Sequence, residues 1–325
     1  RGDTTAVVAT VGSSGFDNRR VKVKLTEGDR VLDEAELLLR SDERQQVSLA
    51  FPAEQPGTHL LNVTVAENTE ELVQANNQQG VSIQVDEDRW KVLYLEGYPR
   101  WDFRFLDHAL RRDHGLETTI VMEARLRAEG VKEADLPTAA RLPQDAAGFA
   151  EYNVVILGDI SPGLLPPRLQ EQLAMAVEED GLGLIVQAGT RHMPHAYAAG
   201  PLADVMPLAV TEGDGAREDD PPGRAAPAFA PFRMEVTANG SLHPAFRLYD
   251  SATKNRGVWS RMPVFYWAMA AGDEPAPGAT VLAKVKTAGA EHPLIAEHFA
   301  GRGRVLLLGG DSTYRWRRNI GDHLF

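Results

Sequence analysis

Val92-Leu93-Tyr94-Leu95 is a short apolar run, and the acidic residue Glu96 follows it directly. A run of this length without alternation is typical of a β-strand that is buried on both faces. In the stretch that follows, residues 101–112, apolar side chains recur every three to four positions, which predicts a helix. A buried strand followed at once by an amphipathic helix is the beginning of a β-α-β unit. The sequence therefore predicts an α/β architecture from this point on.

The same alternation continues downstream of this unit. Three further strand-like runs follow, at 118–122, 153–157 and 181–187. An amphipathic helix is predicted at 168–179, before the last of these strands. This order predicts an open parallel sheet with helices on both faces. Strand-like pieces return in the last third of the chain, at 264–269, 280–286, 294–299 and 305–308.

Upstream of residue 88 the hydrophobic period is two. Val21-Lys22-Val23-Lys24-Leu25 alternates strictly, and similar short pieces separated by glycine and proline fill residues 4–87. Strands at this spacing without a long helix predict an immunoglobulin-like β-sandwich. Residues 32–39 could instead be helical, but the short spacing of the turns favours a strand. The change of period predicts two domains, residues 1–88 and residues 89–325.

Composition limits the partners and the chemistry. The chain has 325 residues, 34 Lys and Arg against 46 Asp and Glu, and a formal net charge of -12. Such an acidic balance opposes nonspecific binding to nucleic acid. The chain has no cysteine, which excludes disulfides, thiolate metal sites and a cysteine nucleophile. No apolar run is long enough to span a bilayer, so any membrane attachment is expected through segments outside this chain.

Acidic residues follow three of the predicted parallel strands: Glu96, Asp159 and Asp311. In open α/β sheets, ligands bind at the edge where the strands end. The same acids could instead cap helices or pair with arginines as a structural network. The predicted ligand-binding residues are these three acids together with neighbouring loop residues: Tyr98, Arg100, Gly189, Thr190 and Arg191. With Arg315, these loops supply aromatic surface and positive charge, and helix N-termini there favour an anionic group.

The turn after the strand 181–187 reads Ala188-Gly189-Thr190-Arg191. Thr190 could act as a nucleophile only with a base within hydrogen-bond distance, and His192 and His195 are near it in sequence. These two histidines could also bind zinc, but Pro194 would break a helix that aligned them. The sequence favours a turn that ends a strand and ordinary loop histidines. The aromatic residues of 101–105 favour core packing over a ligand platform.

Three segments of the second region resemble a known family. They are 91–106 (KVLYLEGYPRWDFRFL), 152–159 (YNVVILGD) with the strand 181–186, and 301–317 (GRGRVLLLGGDSTYRWR). Together they are similar to a glutamine amidotransferase-like domain of large bacterial membrane proteins, over roughly residues 90–325. The resemblance implies a flavodoxin-like fold related to class I glutamine amidotransferases. Upstream, residues 70–77 (EELVQANN) precede the last strand of the sandwich and resemble bacterial adhesion-type modules.

The resemblance does not bring the family's chemistry with it, because the family's enzymes use a cysteine nucleophile and this chain has none. We therefore expect a non-catalytic binding or assembly domain of a bacterial envelope protein, in its periplasmic part, without a cofactor. The expected partner is an envelope protein or a small polar ligand. The alternative is a hydrolase that uses Thr190 or a carboxylate or metal site at the end of the strands.

Overall fold

The computed structural model describes residues 4–66, 75–85, 89–210, 231–249, 251–269, 271–287 and 290–316. The chain divides into two compact units, Arg1–Arg89 and Trp90–Phe325, called here the N-terminal and C-terminal units. The change of hydrophobic period near residue 88 falls at this division. Most of the adhesion-type segment 70–77 and the last residue of the segment 301–317 lie outside the described residues.

The N-terminal unit consists of antiparallel strands. Its strands are β1 (Thr4–Gly12), β2 (Arg20–Glu27), β3 (Arg30–Leu38), β4 (Arg44–Pro52), β5 (Gly57–Val65) and β6 (Gln78–Val85). Strands β1 and β4 form one sheet, and the second sheet has the order β3-β2-β5-β6. The segment 32–39, for which a helix was the alternative, is strand β3 for nearly its whole length.

Alternating side chains of the two sheets form one core. Val23 and Leu25 of β2 are buried against Leu49 and Phe51 of β4, and Leu61 of β5 completes the cluster. The lysines that alternate with Val23 and Leu25 lie on the opposite face, where Lys22 and Lys24 form ion pairs with Glu34. The period of two in the sequence thus corresponds to a buried and a solvated face.

The C-terminal unit contains ten strands and seven α-helices in its described part. The strands are β7 (Trp90–Glu96), β8 (Leu116–Met122), β9 (Val154–Leu157), β10 (Gly183–Gln187), β11 (Leu208–Val210), β12 (Met234–Val236), β13 (Ala271–Pro275), β14 (Thr280–Thr287), β15 (Ala290–Ala300) and β16 (Gly303–Leu308). The helices are α1 (Trp101–Arg112), α2 (Glu123–Ala128), α3 (Leu136–Ala139), α4 (Ala146–Phe149), α5 (Pro167–Asp180), α6 (Ala238–Leu242) and α7 (Ala252–Trp259).

One sheet of eight strands organises the C-terminal unit, in the order β12-β14-β15-β16-β10-β9-β7-β8. The neighbours from β16 to β8 are parallel to one another. The neighbours from β12 to β16 are antiparallel. A separate antiparallel pair is formed by β11 and β13. The sheet is therefore mixed, with a parallel half and an antiparallel half.

The predicted fold class, a flavodoxin-like open parallel sheet after an immunoglobulin-like sandwich, is wrong. The error has a simple cause in the last third of the chain. Two residues, Gly301 and Arg302, separate β15 from β16, and Gly301 has a φ of 58°. A parallel neighbour needs a crossover of about a dozen residues or more, so such a turn produces an antiparallel pair. The expected strand 264–269 is also not formed, and only isolated bridges at Phe265 and Ala268 occur there.

The apolar run that begins the unit is buried on both faces. Leu93 and Leu95 lie in a large core that includes Leu169 and Leu173 of helix α5. Val92 and Tyr94 lie in a smaller cluster on the other face, against the side of α1 that carries Phe103, Leu106 and Leu110. Helices therefore cover both faces of the parallel half of the sheet.

The domain boundary leads to a prediction about a fragment. We expect residues 89–325 to fold alone, because the core clusters around Leu93 and Tyr94 are built from C-terminal residues. Differential scanning calorimetry of this fragment should give a cooperative transition, and its NMR spectrum should be dispersed. A fragment that stays unfolded where the whole chain folds would contradict the boundary.

Candidate functional site

The parallel strands β7, β9, β10 and β16 end on the same side of the sheet, which we call the carboxyl edge. Glu96 is the last residue of β7, and Asp159 follows β9 by two residues. Gly189 and Thr190 follow β10, and Asp311 follows β16. The backbone N–H of Asp159 donates to Glu96 Oε1 at 2.9 Å, so residues 63 positions apart in sequence are in contact. The carboxyl edge is thus the place where most of the predicted site residues lie.

Glu96 is fully buried and its carboxylate has four hydrogen-bond donors. Oε1 accepts from the backbone N–H groups of Gly97 and Asp159, both at 2.9 Å. Oε2 accepts from the Tyr94 hydroxyl at 2.9 Å and from Arg100 Nε at 3.0 Å. All the acceptor positions of a carboxylate are therefore in use. Glu96 fixes the connections after β7 and β9 and has no free lone pair for a ligand.

Arg100 joins this carboxylate to the neighbouring strands. Its side chain is almost completely buried, and beyond Glu96 it donates from Nη1 to the Ala188 carbonyl at 2.9 Å. Nη2 donates to Gln187 Oε1 at 3.2 Å. A buried ion pair of this kind requires good geometry and further hydrogen bonds to offset the loss of hydration. Arg100 is therefore part of a structural network that connects β7 with β10.

Asp159 holds the loop after β10 by its backbone. Its Oδ1 accepts from the N–H groups of His192 and Met193 at 2.7 and 2.8 Å, and its Oδ2 accepts from the N–H of Arg191 at 2.9 Å. The side chain is fully buried. This is a nest of amides around an anion, but the anion belongs to the protein itself. Asp159 therefore supports the loop rather than contacting a ligand.

Glycine is required where these carboxylates meet the backbone. A Cβ on Gly189 would lie 2.2 Å from the carboxyl carbon of Asp159, and one on Gly158 would lie 2.3 Å from Glu96 Oε2. A Cβ on Gly97 would lie 1.9 Å from the Asp159 carbonyl oxygen. Glycine at these positions lets the buried acids approach the backbone closely. Gly189, one of the predicted site residues, therefore has to be glycine because the Asp159 side chain packs against its Cα.

Thr190 and Tyr98 lie at the open side of this network. The Thr190 hydroxyl is 3.5 Å from the Tyr98 hydroxyl. Burial raises the pKa of Tyr98 to about 12, and the nearby carboxylate of Asp159 adds to this effect. A phenol with this pKa is a poor base near neutral pH, so it does not activate a threonine nucleophile. His195 packs edge-on against Trp267 instead, with ring centroids 6.3 Å apart.

Asp102 is an acid at this edge that the sequence analysis did not select. It is buried in the first turn of α1, and its Oδ1 accepts from the Thr313 hydroxyl and from the Tyr314 N–H. Burial raises its pKa to about 6, and the Asp311 carboxylate also raises it. Burial likewise raises the pKa of Asp311, while Arg100 and Ser312 oppose the shift. Its position in the first turn of the predicted helix 101–112 was the sequence signal available for Asp102.

Arginine side chains lie over aromatic rings along the same edge. The guanidinium of Arg191 is 4.1 Å from the ring centroid of Tyr98, and that of Arg104 is 5.6 Å from Trp101. Arg315 lies 4.5 Å from Tyr266 and 5.6 Å from Tyr314. These distances fit cation–π interactions. Among the described residues, none of these three arginines forms a salt bridge.

The aromatic rings of this edge are partly exposed. Trp101 stacks with Tyr314 at 6.0 Å and contacts Phe105 at 6.5 Å, yet it remains 56% exposed. Tyr266 is 46% exposed. The expectation that residues 101–105 serve core packing therefore fails for Trp101. In the described parts of the chain, no group of three or more His, Asp and Glu residues could hold a metal ion.

The chain was compared with known proteins. No family model matches it, and no curated protein matches it. A solved structure described as a cytoplasmic protein from Salmonella typhimurium covers 70% of this chain and 91% of its own, with 17% identity and a TM-score of 0.48. A second Salmonella typhimurium protein with the same description covers 70% and 90%, with 15% identity and a TM-score of 0.43.

The CARDB domain of a Pyrococcus furiosus protein, solved in complex with di-metal ions, covers 25% of this chain and 86% of its own. Its identity is 18% and its TM-score 0.19. The predicted resemblance to adhesion-type domains is therefore found in the comparisons, over a quarter of the chain. The predicted resemblance to amidotransferase-like domains is not found in them. At these identities and TM-scores, the likenesses carry no argument about activity.

The predicted location in the bacterial cell envelope is wrong on these comparisons. Both Salmonella proteins are described as cytoplasmic, and that description belongs to those two proteins. In the part of the chain that the structure describes, every helix is too short or too polar to cross a bilayer. The comparisons therefore give an envelope location no support.

Proposed function

We propose that the C-terminal unit is a non-catalytic binding module that takes an anionic group at the carboxyl edge. The observation that supports this proposal is the row of arginines over aromatic rings: Arg104, Arg191 and Arg315. Each guanidinium lies over a ring, and none forms a salt bridge among the described residues. The chain has a net charge of -12, so many carboxylates could have paired with these arginines. That the three lie over rings instead leaves their guanidinium groups available for a ligand.

The chemistry of the row favours carboxylate or phosphate as the bound group. A guanidinium offers a planar set of donors that fits either anion in a bidentate manner. The partly exposed rings of Trp101 and Tyr266 would contact an apolar part next to the anion. The buried carboxylates of Glu96 and Asp159 already accept hydrogen bonds from the protein, Glu96 from Arg100 and a backbone N–H and Asp159 from backbone N–H groups. They therefore do not repel a bound anion as free charges would. They would hold the loops that present the arginines.

The amidotransferase-like motifs add a second argument for a binding role. On that resemblance, the turn Ala188-Gly189-Thr190-Arg191 stands where the family's enzymes carry the nucleophilic cysteine. Here the turn carries Thr190 beside a phenol with a raised pKa, and an exposed arginine follows. We propose that the position has changed from a nucleophile to a surface that recognises an anion.

Charge removal at the edge gives the test. We expect isothermal titration calorimetry to detect binding of inorganic phosphate or of a short glutamate peptide by the whole chain. The triple variant Arg104→Gln, Arg191→Gln, Arg315→Gln should weaken this binding by about tenfold or more, because the anion loses its guanidinium partners. Binding should also weaken as salt rises.

A second triple variant controls for the change in net charge: Arg111→Gln, Arg125→Gln and Arg302→Gln. Arg111 forms an ion pair with Asp107 on helix α1, Arg125 pairs with Glu129 just after helix α2, and Arg302 donates to the Glu179 carbonyl. This variant should bind the probes nearly as well as the unmodified chain. If neither probe binds, or if both triple variants lose affinity equally, the proposed site is wrong.

A further inference from the structure

The two sheets of the N-terminal unit are in direct contact along one pair of edge strands and separated by a cavity along the other. On one side, β3 and β4 are joined by a hydrogen bond from the Ala50 N–H to Asp33 Oδ2, at 2.6 Å. On the other side, β1 and β6 leave a cavity of about 870 Å³ between the sheets. Apolar side chains of β1 and β5 line it, among them Val7, Val11, Val63 and Val65. These side chains are only half-buried, so this side of the core is incompletely covered.

Strand β1 has one partner, β4, among the described residues, and its other edge faces this opening. Unpaired strand edges attract other strands, and proteins usually protect them with charged residues or proline. The sequence of β1, TTAVVATVG, contains neither. By contrast, the edge strand β3 on the closed side contains four charged residues, Arg30, Asp33, Glu34 and Glu36. Protection is thus present on the closed side and missing on the open side.

We propose that β1 pairs with β1 of a second copy of this chain, antiparallel and centred on Val8. The strand suits this pairing because six of its nine residues are valine or threonine, which favour strands. A pair centred on Val8 places residues of the same face opposite each other, with Val7 opposite Ala9 of the second copy. The pairing gives one four-stranded sheet shared by two copies around a two-fold axis.

The burial pattern agrees with this register. Val7, Ala9 and Val11 face the core of the unit and would form one continuous inner face with those of the second copy. Val8 faces outward and is 56% exposed, so its side chain is accessible to a second copy. No charge is buried by the contact, because β1 has none. The acidic character of the chain therefore does not oppose the pairing at the strand itself.

Disulfide capture tests the register, because the unmodified chain has no cysteine. In Val8→Cys, the two thiols would lie directly opposite each other across the two-fold axis. Opposite residues of an antiparallel pair have Cα atoms about 4.5–5.5 Å apart, within the range for a disulfide. We expect mild oxidation to give a disulfide-linked dimer. Val31→Cys, on the protected strand β3 and 51% exposed, is the matched control and should stay monomeric on a reducing-agent-free gel.

Sedimentation velocity of the whole chain measures the association without a crosslink. We expect a dimer whose dissociation constant rises about tenfold or more in Val8→Lys, because two ammonium groups then face each other. Val31→Lys should leave the dissociation constant unchanged. A chain that is monomeric over about a hundredfold range of concentration would overturn the proposal. So would a dimer that Val8→Lys does not weaken, or a crosslink that forms equally well at both positions.

Discussion

Asp159→Asn is expected to lower the free energy of unfolding of the C-terminal unit by about 3 kcal/mol. The carboxylate accepts three backbone N–H groups of residues 191–193, and it is fully buried. An amide can still accept at one atom, but its NH₂ group would face a backbone N–H donor. At least one of the three backbone donors then loses its partner, and the remaining bonds lose their charge. The substitution therefore weakens the hydrogen bonds that hold residues 191–193, in the loop after β10, against Asp159.

Tryptophan fluorescence in urea isolates this effect. All five tryptophans of the chain lie between residues 90 and 316, so their emission reports on the C-terminal unit. Asp113→Asn is the matched control, because Asp113 is exposed and accepts one backbone N–H, from Gly115 at 2.8 Å. It should shift the urea midpoint only slightly. If Asp159→Asn leaves the midpoint unchanged while weakening anion binding, Asp159 belongs to the ligand site and the structural assignment fails.

The convergence of residues at the carboxyl edge could be predicted, because it follows from strand direction alone. The run Val92-Leu93-Tyr94-Leu95 identifies a strand buried on both faces, and the ends of parallel strands share an edge. Which atoms meet there could not be predicted. Asp159 and Asp311 both follow a strand and a glycine in the sequence, yet, among the residues that the structure describes, three N–H groups enclose Asp159 and no such set encloses Asp311. The difference lies in loop conformation, which hydrophobic periodicity does not describe.

The antiparallel half of the sheet was missed for a different reason. Periodicity identified the strands near 280–286, 294–299 and 305–308, but strand direction depends on the connections between them. The turn at Gly301 and Arg302 is too short for a crossover, and this information was present in the sequence. Tyr266 was missed because its contact with Arg315, 49 positions away in the sequence, has no local signal.

The raised pKa of Asp102 should make the stability of the C-terminal unit fall as pH rises. Burial raises this pKa from an ordinary value of 3.8 to about 6, so the folded state holds the proton more tightly than the unfolded state does. Between these two values the folded state binds more protons, and the free energy of unfolding must decrease with increasing pH. The stabilising contribution of this group is complete below pH 3.8 and is lost as the pH passes through about 6.

Asp102→Asn should remove this pH dependence and stabilise the unit at neutral pH. Both hydrogen bonds that Asp102 accepts, from Thr313 and Tyr314, end on the same oxygen, which an asparagine retains. The buried charge and its repulsion from Asp311 disappear, and a shift of this size corresponds to at most about 3 kcal/mol. Asp107→Asn, which removes a surface carboxylate paired with Arg111 on the same helix, is the control for lost charge. The difference between the urea midpoints at pH 4 and pH 7, followed by tryptophan fluorescence, should be smaller for Asp102→Asn than for the control, and the raised pKa of Asp311 leaves part of the difference in both. An Asp102→Asn variant that is less stable than the unmodified chain at neutral pH would show that the charged carboxylate is needed to hold Tyr314 and the connection after β16.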